Sequence, residues 1–107
     1  MINQQLLQPE SIVVIGGSNN VHKPGGAVVR NILNGGYQGT LRVVNPKEDE
    51  VQGIKVFHNV SELPPTDLAV LVVAARFCPQ YVEQLAAEKG VRAFIIISAG
   101  FSEETPI

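Results

Sequence analysis

Residues 12–36 read IVVIGGSNNVHKPGGAVVRNILNGG: an apolar run, a loop of small and polar residues, then a helical pattern. The apolar run 11–17 is rich in Val and Ile with little alternation, as in a strand covered on both faces of a parallel sheet. Val28, Val29, Ile32 and Leu33 recur at three- and four-residue spacing, which predicts an amphipathic helix beginning near Gly25. Gly35 and Gly36 supply the left-handed conformation that ends it. A strand, a glycine-bearing loop and a helix in that order make a candidate anion site. The dinucleotide spacing G-x-G-x-x-G is nevertheless missing, because Gly16 and Gly17 are followed by Ser18, Asn19, Asn20 and Val21.

Three further apolar runs follow at 40–46 (TLRVVNP), 68–75 (LAVLVVAA) and 93–100 (AFIIISAG). A second helix is predicted over 79–90, opened by Pro79, striped by Val82, Leu85 and Ala86, and closed by Lys89 and Gly90. Strand–helix–strand, twice over, gives an α/β fold. The expected form is a Rossmann-like, doubly wound, mainly parallel sheet of about five strands with helices on both faces. The fifth strand is IKVF at 54–57, expected at an edge and reached through the polar turn 47–53. The segment 61–67 holds at most one helical turn before its prolines.

With 107 residues the chain makes one small domain. A net charge of −2 and the lack of any Lys/Arg run argue against nucleic-acid binding. No apolar run approaches membrane-spanning length, and the start MINQQLLQPE lacks the pattern of a signal peptide. Cys78 is the single cysteine, so neither a disulfide nor a Cys-rich metal site can form within the chain. A cytoplasmic domain without a metal is the expectation. Ser102, Glu103 and Glu104 read as the cap and acidic first turn of another helix, so the native protein is expected to continue past Ile107.

Ligands of open α/β sheets bind beyond the carboxyl ends of the strands, where strand order reverses. With the order edge, second, first, third, fourth, the crevice lies between strands 12–15 and 69–73. The loops 16–25, 45–47, 74–78 and 98–101 converge on it. They carry Lys23, Lys47 and Arg76, three of the eight basic residues, and the first three loops have no acidic residue. Glu48, Asp49 and Glu50 directly follow Lys47 and favour an anion site only if their turn points outward. In the first loop, Gly16 and Gly17 let backbone N–H groups approach a phosphate, and the following helix aims its positive end there. Ser18, Asn19 and Asn20 offer further donors, and Lys23 a full charge.

An NAD site wants an acidic residue at the end of the second strand, to bind the ribose 2′-hydroxyl. Asn45, Pro46 and Lys47 stand there instead. Lys47 favours a phosphate near the adenosine ribose, either the 3′-phosphate of coenzyme A or the 2′-phosphate of NADP. Spacing alone does not separate the two.

The segments LLQPESIVVIGGSNN, KPGG, NILNGGYQG, VVNPK, GIKVFHNVSELP, DLAVLVV and GVRAFIIISAGFSEE resemble the CoA-binding domain of the ADP-forming acyl-CoA synthetases. That domain is shared with the α subunit of succinyl-CoA synthetase. The similarity runs from about Leu6 to Glu104. It implies that CoA lies over the first loop, with Ser18, Asn19 and Lys23 near its phosphates and Lys47 near the adenosine end. It also implies that Ser98 and Ala99 line the path of the pantetheine. Relatives commonly carry a proline after the third strand, where this chain has Ala74, so the placing of Arg76 is the least secured part of the pattern. The resemblance implies a CoA-binding module that does no chemistry alone, inside an acid–CoA ligase whose other domains or subunit carry a phosphorylated histidine. CoA or acyl-CoA and those ligase domains are the expected partners, and a homo-oligomer is compatible with the sequence.

Two other readings stay open: an NAD(P)-binding domain of an oxidoreductase or redox sensor, and a stand-alone regulatory CoA-binding protein. His22 lies in the first loop as a helper in anion binding rather than a catalyst, and His58 is read as a surface residue. Cys78 sits before a helix start but has no visible base, which favours an inert thiol. Phe77 is read as an ordinary core contact ahead of a ligand cover, and Tyr37 and Tyr81 as packing at helix ends.

Overall fold

A computed structural model describes residues 8–98. The strands are β1 (Ser11–Ile15), β2 (Thr40–Val44), β3 (Glu50–Val51), β4 (Ile54–Phe57), β5 (Leu68–Val73) and β6 (Ala93–Ser98). The helices are α1 (Pro24–Asn34) and α2 (Cys78–Lys89), with 3₁₀ turns at Val60–Glu62 and Ala75–Phe77. The sheet order is β3-β4-β2-β1-β5-β6, parallel throughout except for the antiparallel β3–β4 pair.

The doubly wound α/β fold expected from the sequence is therefore present, with one more strand. IKVF is not the edge: β4 pairs with β2 on one side and with two-residue β3 on the other. A two-residue strand has no periodicity to read, so the polar composition of 47–53 hid it.

Alternate residues of each strand feed two cores. Ile12, Val14, Val43, Val70 and Val72 pack under α1 through Val29, with Val28 and Ile32 at the margin. Val13, Ile15, Val44, Ala69 and Leu71 pack with Cys78 and Leu85 of α2. Leu85 is fully buried, and its truncation to alanine is worth about 2–5 kcal/mol. Ala86, placed on the same stripe by spacing, is exposed. So is Leu33 at the end of α1, 45% exposed. Gly36 and Gly90 adopt left-handed φ of 78° and 68° beyond the helix ends, whereas Gly35, expected to share that conformation, is the C-cap of α1 with φ −82°.

Because α1 and α2 cover opposite faces, the connections diverge between β1 and β5, and this is where strand order reverses. At the opposite, amino-terminal end, Tyr37 donates its hydroxyl to Pro9 O at 2.8 Å. Burial, then the carboxylates of Asp67 and Glu10, push this phenol above its ordinary value. Edge strand β6 leaves Ile95 and Ile96 exposed on its two faces, at 40% and 51%.

Candidate anion-binding cleft

Strand β1 ends at Ile15 because Gly16 takes φ +92°, a conformation closed to a side chain here: a Cβ would overlap Val72 O. The chain then crosses from the sheet to α1. Gly25 allows the helix start to rest directly on that turn, since a Cβ there would overlap Gly16 O. Lys23 is the N-cap, Pro24 follows, and the first turn has neither a side-chain cap nor an acidic residue. The orphan amides of α1 therefore keep their partial positive charge.

A cleft of about 450 Å³ opens at the carboxyl ends of β1, β2 and β5, lined by Ile15, Gly16, Val44, Pro46, Val73, Ala74, Phe77, Gln80 and Tyr81. It lies at the reversal point between β1 and β5. Of the residues singled out from sequence, Gly16, Pro46 and Ala74 line it. Gly17, Ser18, Asn19, Asn20 and Lys23 form the loop at its margin.

The polar side chains of that loop are largely committed to the protein. Asn45 turns inward and donates Nδ2–H to Gly17 O at 2.8 Å, while its Oδ1 accepts from Lys47 N at 2.8 Å and Glu48 N at 3.3 Å. Asn19 is no spare donor: Oδ1 accepts from Gln52 N at 2.7 Å, and Nδ2 donates to Glu50 O at 2.9 Å. Ser18 Oγ accepts from Asn20 N, and Asn20 Oδ1 from His22 N, both at 3.0 Å. What remains for a ligand, among the described residues, is the backbone amides of Ser18 and Asn19, the Ser18 hydroxyl hydrogen and Asn20 Nδ2, none of which has a protein partner.

Lys23 and Lys47 are exposed, and neither forms an ion pair; among the described residues the ion pair present joins His58 and Asp49 at 2.9 Å. Asp49 thus points outward to the surface histidine. Glu48 does not clear the site, since its Oε1 lies 3.5 Å from Asn19 Nδ2 at the hairpin side of the loop.

The second wall is apolar. Phe77 is 42% exposed and faces the cleft, so the expected core contact is corrected. The 3₁₀ turn at 75–77 swings it out ahead of buried Cys78. The Arg76 guanidinium lies 4.8 Å from the Phe77 ring centroid, a cation–π contact that seats Arg76 beside this wall. Cys78 is buried, with Sγ 3.8 Å from Ala74 O, as an inert thiol would be. Ser98 ends β6 opposite Val73, at the same rim. Ala99 lies outside the described residues.

Residues 10–105 match the family model described as CoA binding domain. The chain belongs to the CoA-binding domain family. A prokaryotic trans-feruloyl-CoA synthase is 44% identical over 105 residues, covering 94% of this chain and 15% of that protein. The α subunit of acetate–CoA ligase [ADP-forming] I from Pyrococcus furiosus is 42% identical over 105 residues, covering 94% of this chain and 22% of the subunit. The dinucleotide-forming acetyl-coenzyme A synthetase 1 of Ca. Korarchaeum cryptofilum, solved with phosphate and ADP, superposes with a TM-score of 0.82. Its identity is 31%, over 95% of this chain and 22% of that one. The CoA-binding domain described here thus spans roughly a fifth or less of the length of these relatives.

The sequence missed Gln52, whose side chain reaches the loop, and Tyr81 and Gln80, which line the cleft. A polar residue before a glycine reads as a turn, and nothing local reveals its partner thirty-four positions earlier.

Proposed function

We propose that this CoA-binding domain holds coenzyme A across the β1–β5 cleft as the thiol substrate of an ADP-forming acid–CoA ligase. It presents the carrier and performs no chemistry alone. One observation carries the reading: unpartnered loop amides and unpaired lysines share one rim with an apolar trough. That pairing suits a ligand with a phosphorylated head and a long neutral arm. The Ser18 and Asn19 amides and the start of α1 take the pyrophosphate, with Lys23 supplying charge. Lys47, at the end of the Asn45-Pro46 turn, takes the 3′-phosphate. Pro46, Ala74 and Phe77 flank the neutral part, and the carboxyl end of β6 at Ser98 continues its path.

Asn45 favours CoA over NAD. Its oxygen already accepts two backbone amides, so no acceptor is left for a ribose 2′-hydroxyl. The similar relatives act, by their names, on ferulate and on acetate, which differ widely in size. A domain shared by both suits their common partner, CoA, with the acid selected elsewhere. We place the domain within a longer cytoplasmic protein, on the share of its relatives that it spans and on the uncovered Ile95 and Ile96.

Thermal unfolding with and without CoA tests this. Ligand at a hundredfold over its dissociation constant adds about 2.7 kcal/mol, or roughly 10–20 °C in a domain of this size. A rise with CoA that NAD and NADP fail to match supports the proposal. An unchanged transition with CoA refutes it.

A further inference from the structure

Gln52 stands at the first central position of the two-residue turn joining β3 to β4, closed by the pair Val51–Ile54. Its φ is +50° and that of Gly53 is +86°, the type I′ hairpin conformation. Asn, Asp and Gly suit that position, whereas Gln lacks the short side chain that makes left-handed backbone tolerable. Among the described residues Gln52 is the non-glycine with positive φ.

The side chain accounts for the choice. Its amide donates both hydrogens, to Ser18 O at 2.9 Å and to Gly26 O at 3.0 Å, bridging the loop and the first turn of α1. The backbone N–H of Gln52 donates to Asn19 Oδ1, and Asn19 Nδ2 returns a bond to Glu50 O. Four hydrogen bonds thus tie the edge hairpin to this region, three to the loop and one to the first turn of α1.

In a trans peptide the C=O and N–H point in opposite directions. Holding Ser18 O toward Gln52 therefore aims the Asn19 N–H away from the hairpin, and this amide has no partner among the described residues. Asn45 does the same one peptide earlier: it holds Gly17 O, which turns the Ser18 N–H outward. Two side-chain amides thus hold two consecutive peptide planes. An Asn at position 52 would suit the turn better but is one methylene too short for this bridge.

We infer that Gln52 is a positioning residue for phosphate: it fixes the Ser18–Asn19 peptide so that the Asn19 amide is preset as a donor to the ligand's pyrophosphate. The inference rests on the CoA reading above and adds to it a residue outside the cleft.

The test compares Gln52→Asn and Gln52→Met with the parent chain. Three quantities are read: the melting temperature without ligand, the dissociation constants of CoA and dephospho-CoA by calorimetry, and the Asn19 amide resonance during titration. The parent should bind CoA and shift the Asn19 amide. Gln52→Asn should keep or raise the ligand-free melting temperature yet weaken CoA and dephospho-CoA by the same factor, about tenfold, because both carry the pyrophosphate. Gln52→Met, equal in length without donors, should weaken both ligands equally, and the Asn19 shift should shrink in either variant. Where a variant melts lower, the constants are taken below its transition, so that the folded form alone is compared. Binding of CoA by the parent with both variants within twofold overturns the role of Gln52 and leaves the cleft assignment standing. A lowered melting temperature with unchanged affinity in the folded form overturns it equally, as a purely structural role. Failure of the parent to bind CoA overturns the cleft assignment, and the role of Gln52 falls with it.

Discussion

The two walls of the cleft are built by opposite means. On the β2 side, amide side chains from three separate segments hold the loop: Asn45 and Gln52 donate to its backbone, and Asn19 accepts from Gln52 N and donates to Glu50 O of the edge hairpin. On the β5 side, Val73, Ala74, Phe77 and Tyr81 present carbon surface, and the packing of Cys78 and Leu85 beneath them holds it in place. A phosphate needs donors fixed in direction, so the first wall uses directional bonds. A neutral arm needs only displaced water, so shape and area suffice for the second. Substitutions on the first wall should therefore act through geometry, and those on the second through area.

On the loop side of the cleft, the largest effect should come from Gly26→Ala. A Cβ there would overlap Asn20 O, so the loop and the helix start must separate. Urea denaturation should show a loss of about 2–3 kcal/mol, with CoA binding lost as well. Gly17→Val belongs to the same class, because its side chain would press on Val43 and Val29 in the core rather than on a ligand. Next, Asn45→Ala leaves the Gly17 carbonyl and two amides without their partner, at a cost of about 1–3 kcal/mol by the same assay. A value near zero would mean that the loop does not depend on its side-chain braces.

Lys47→Ala should leave stability unchanged, since the ammonium is exposed and unpaired. It should weaken CoA by roughly fivefold, about 1 kcal/mol, and dephospho-CoA hardly at all, as read by calorimetry. Equal losses for both ligands would take Lys47 away from the 3′-phosphate. The smallest effect is on the apolar wall. Ala74 has φ −58° and ψ 143°, angles a proline adopts freely, and its N–H has no partner among the described residues. Ala74→Pro should therefore raise stability by about 0.4–1 kcal/mol, a gain of a few degrees in the melting temperature. The backbone at this position already has the shape that proline would impose, which leaves Arg76 on a defined turn after all.

Runs of Val and Ile made the strands legible, and spacing made the helices legible, because burial on two faces and on one stripe leaves different patterns. The place of the cleft rests on an assumed order of strands, edge, second, first, third, fourth, which the sheet adopts with β3 added outside it. The partners of polar residues did not follow. Asn19 reads as a donor to a ligand, yet the edge hairpin some thirty residues away takes up both ends of its amide. Gln52 reads as a turn residue, and only the fold brings its amide to Ser18 and Gly26. Phe77 reads as core because aromatic residues usually are, but the short 3₁₀ turn before α2 leaves it in the cleft.

The most direct test of the central claim is an amide-resolved NMR titration of this chain with CoA. The amides of residues 16–23, 25 and 47, and those of the 74–78 turn, should shift together and saturate at one ligand equivalent, while Tyr37 and Asp67 at the far end of the sheet stay still. Shifts confined to the far end, or none at all from a folded chain, would contradict it.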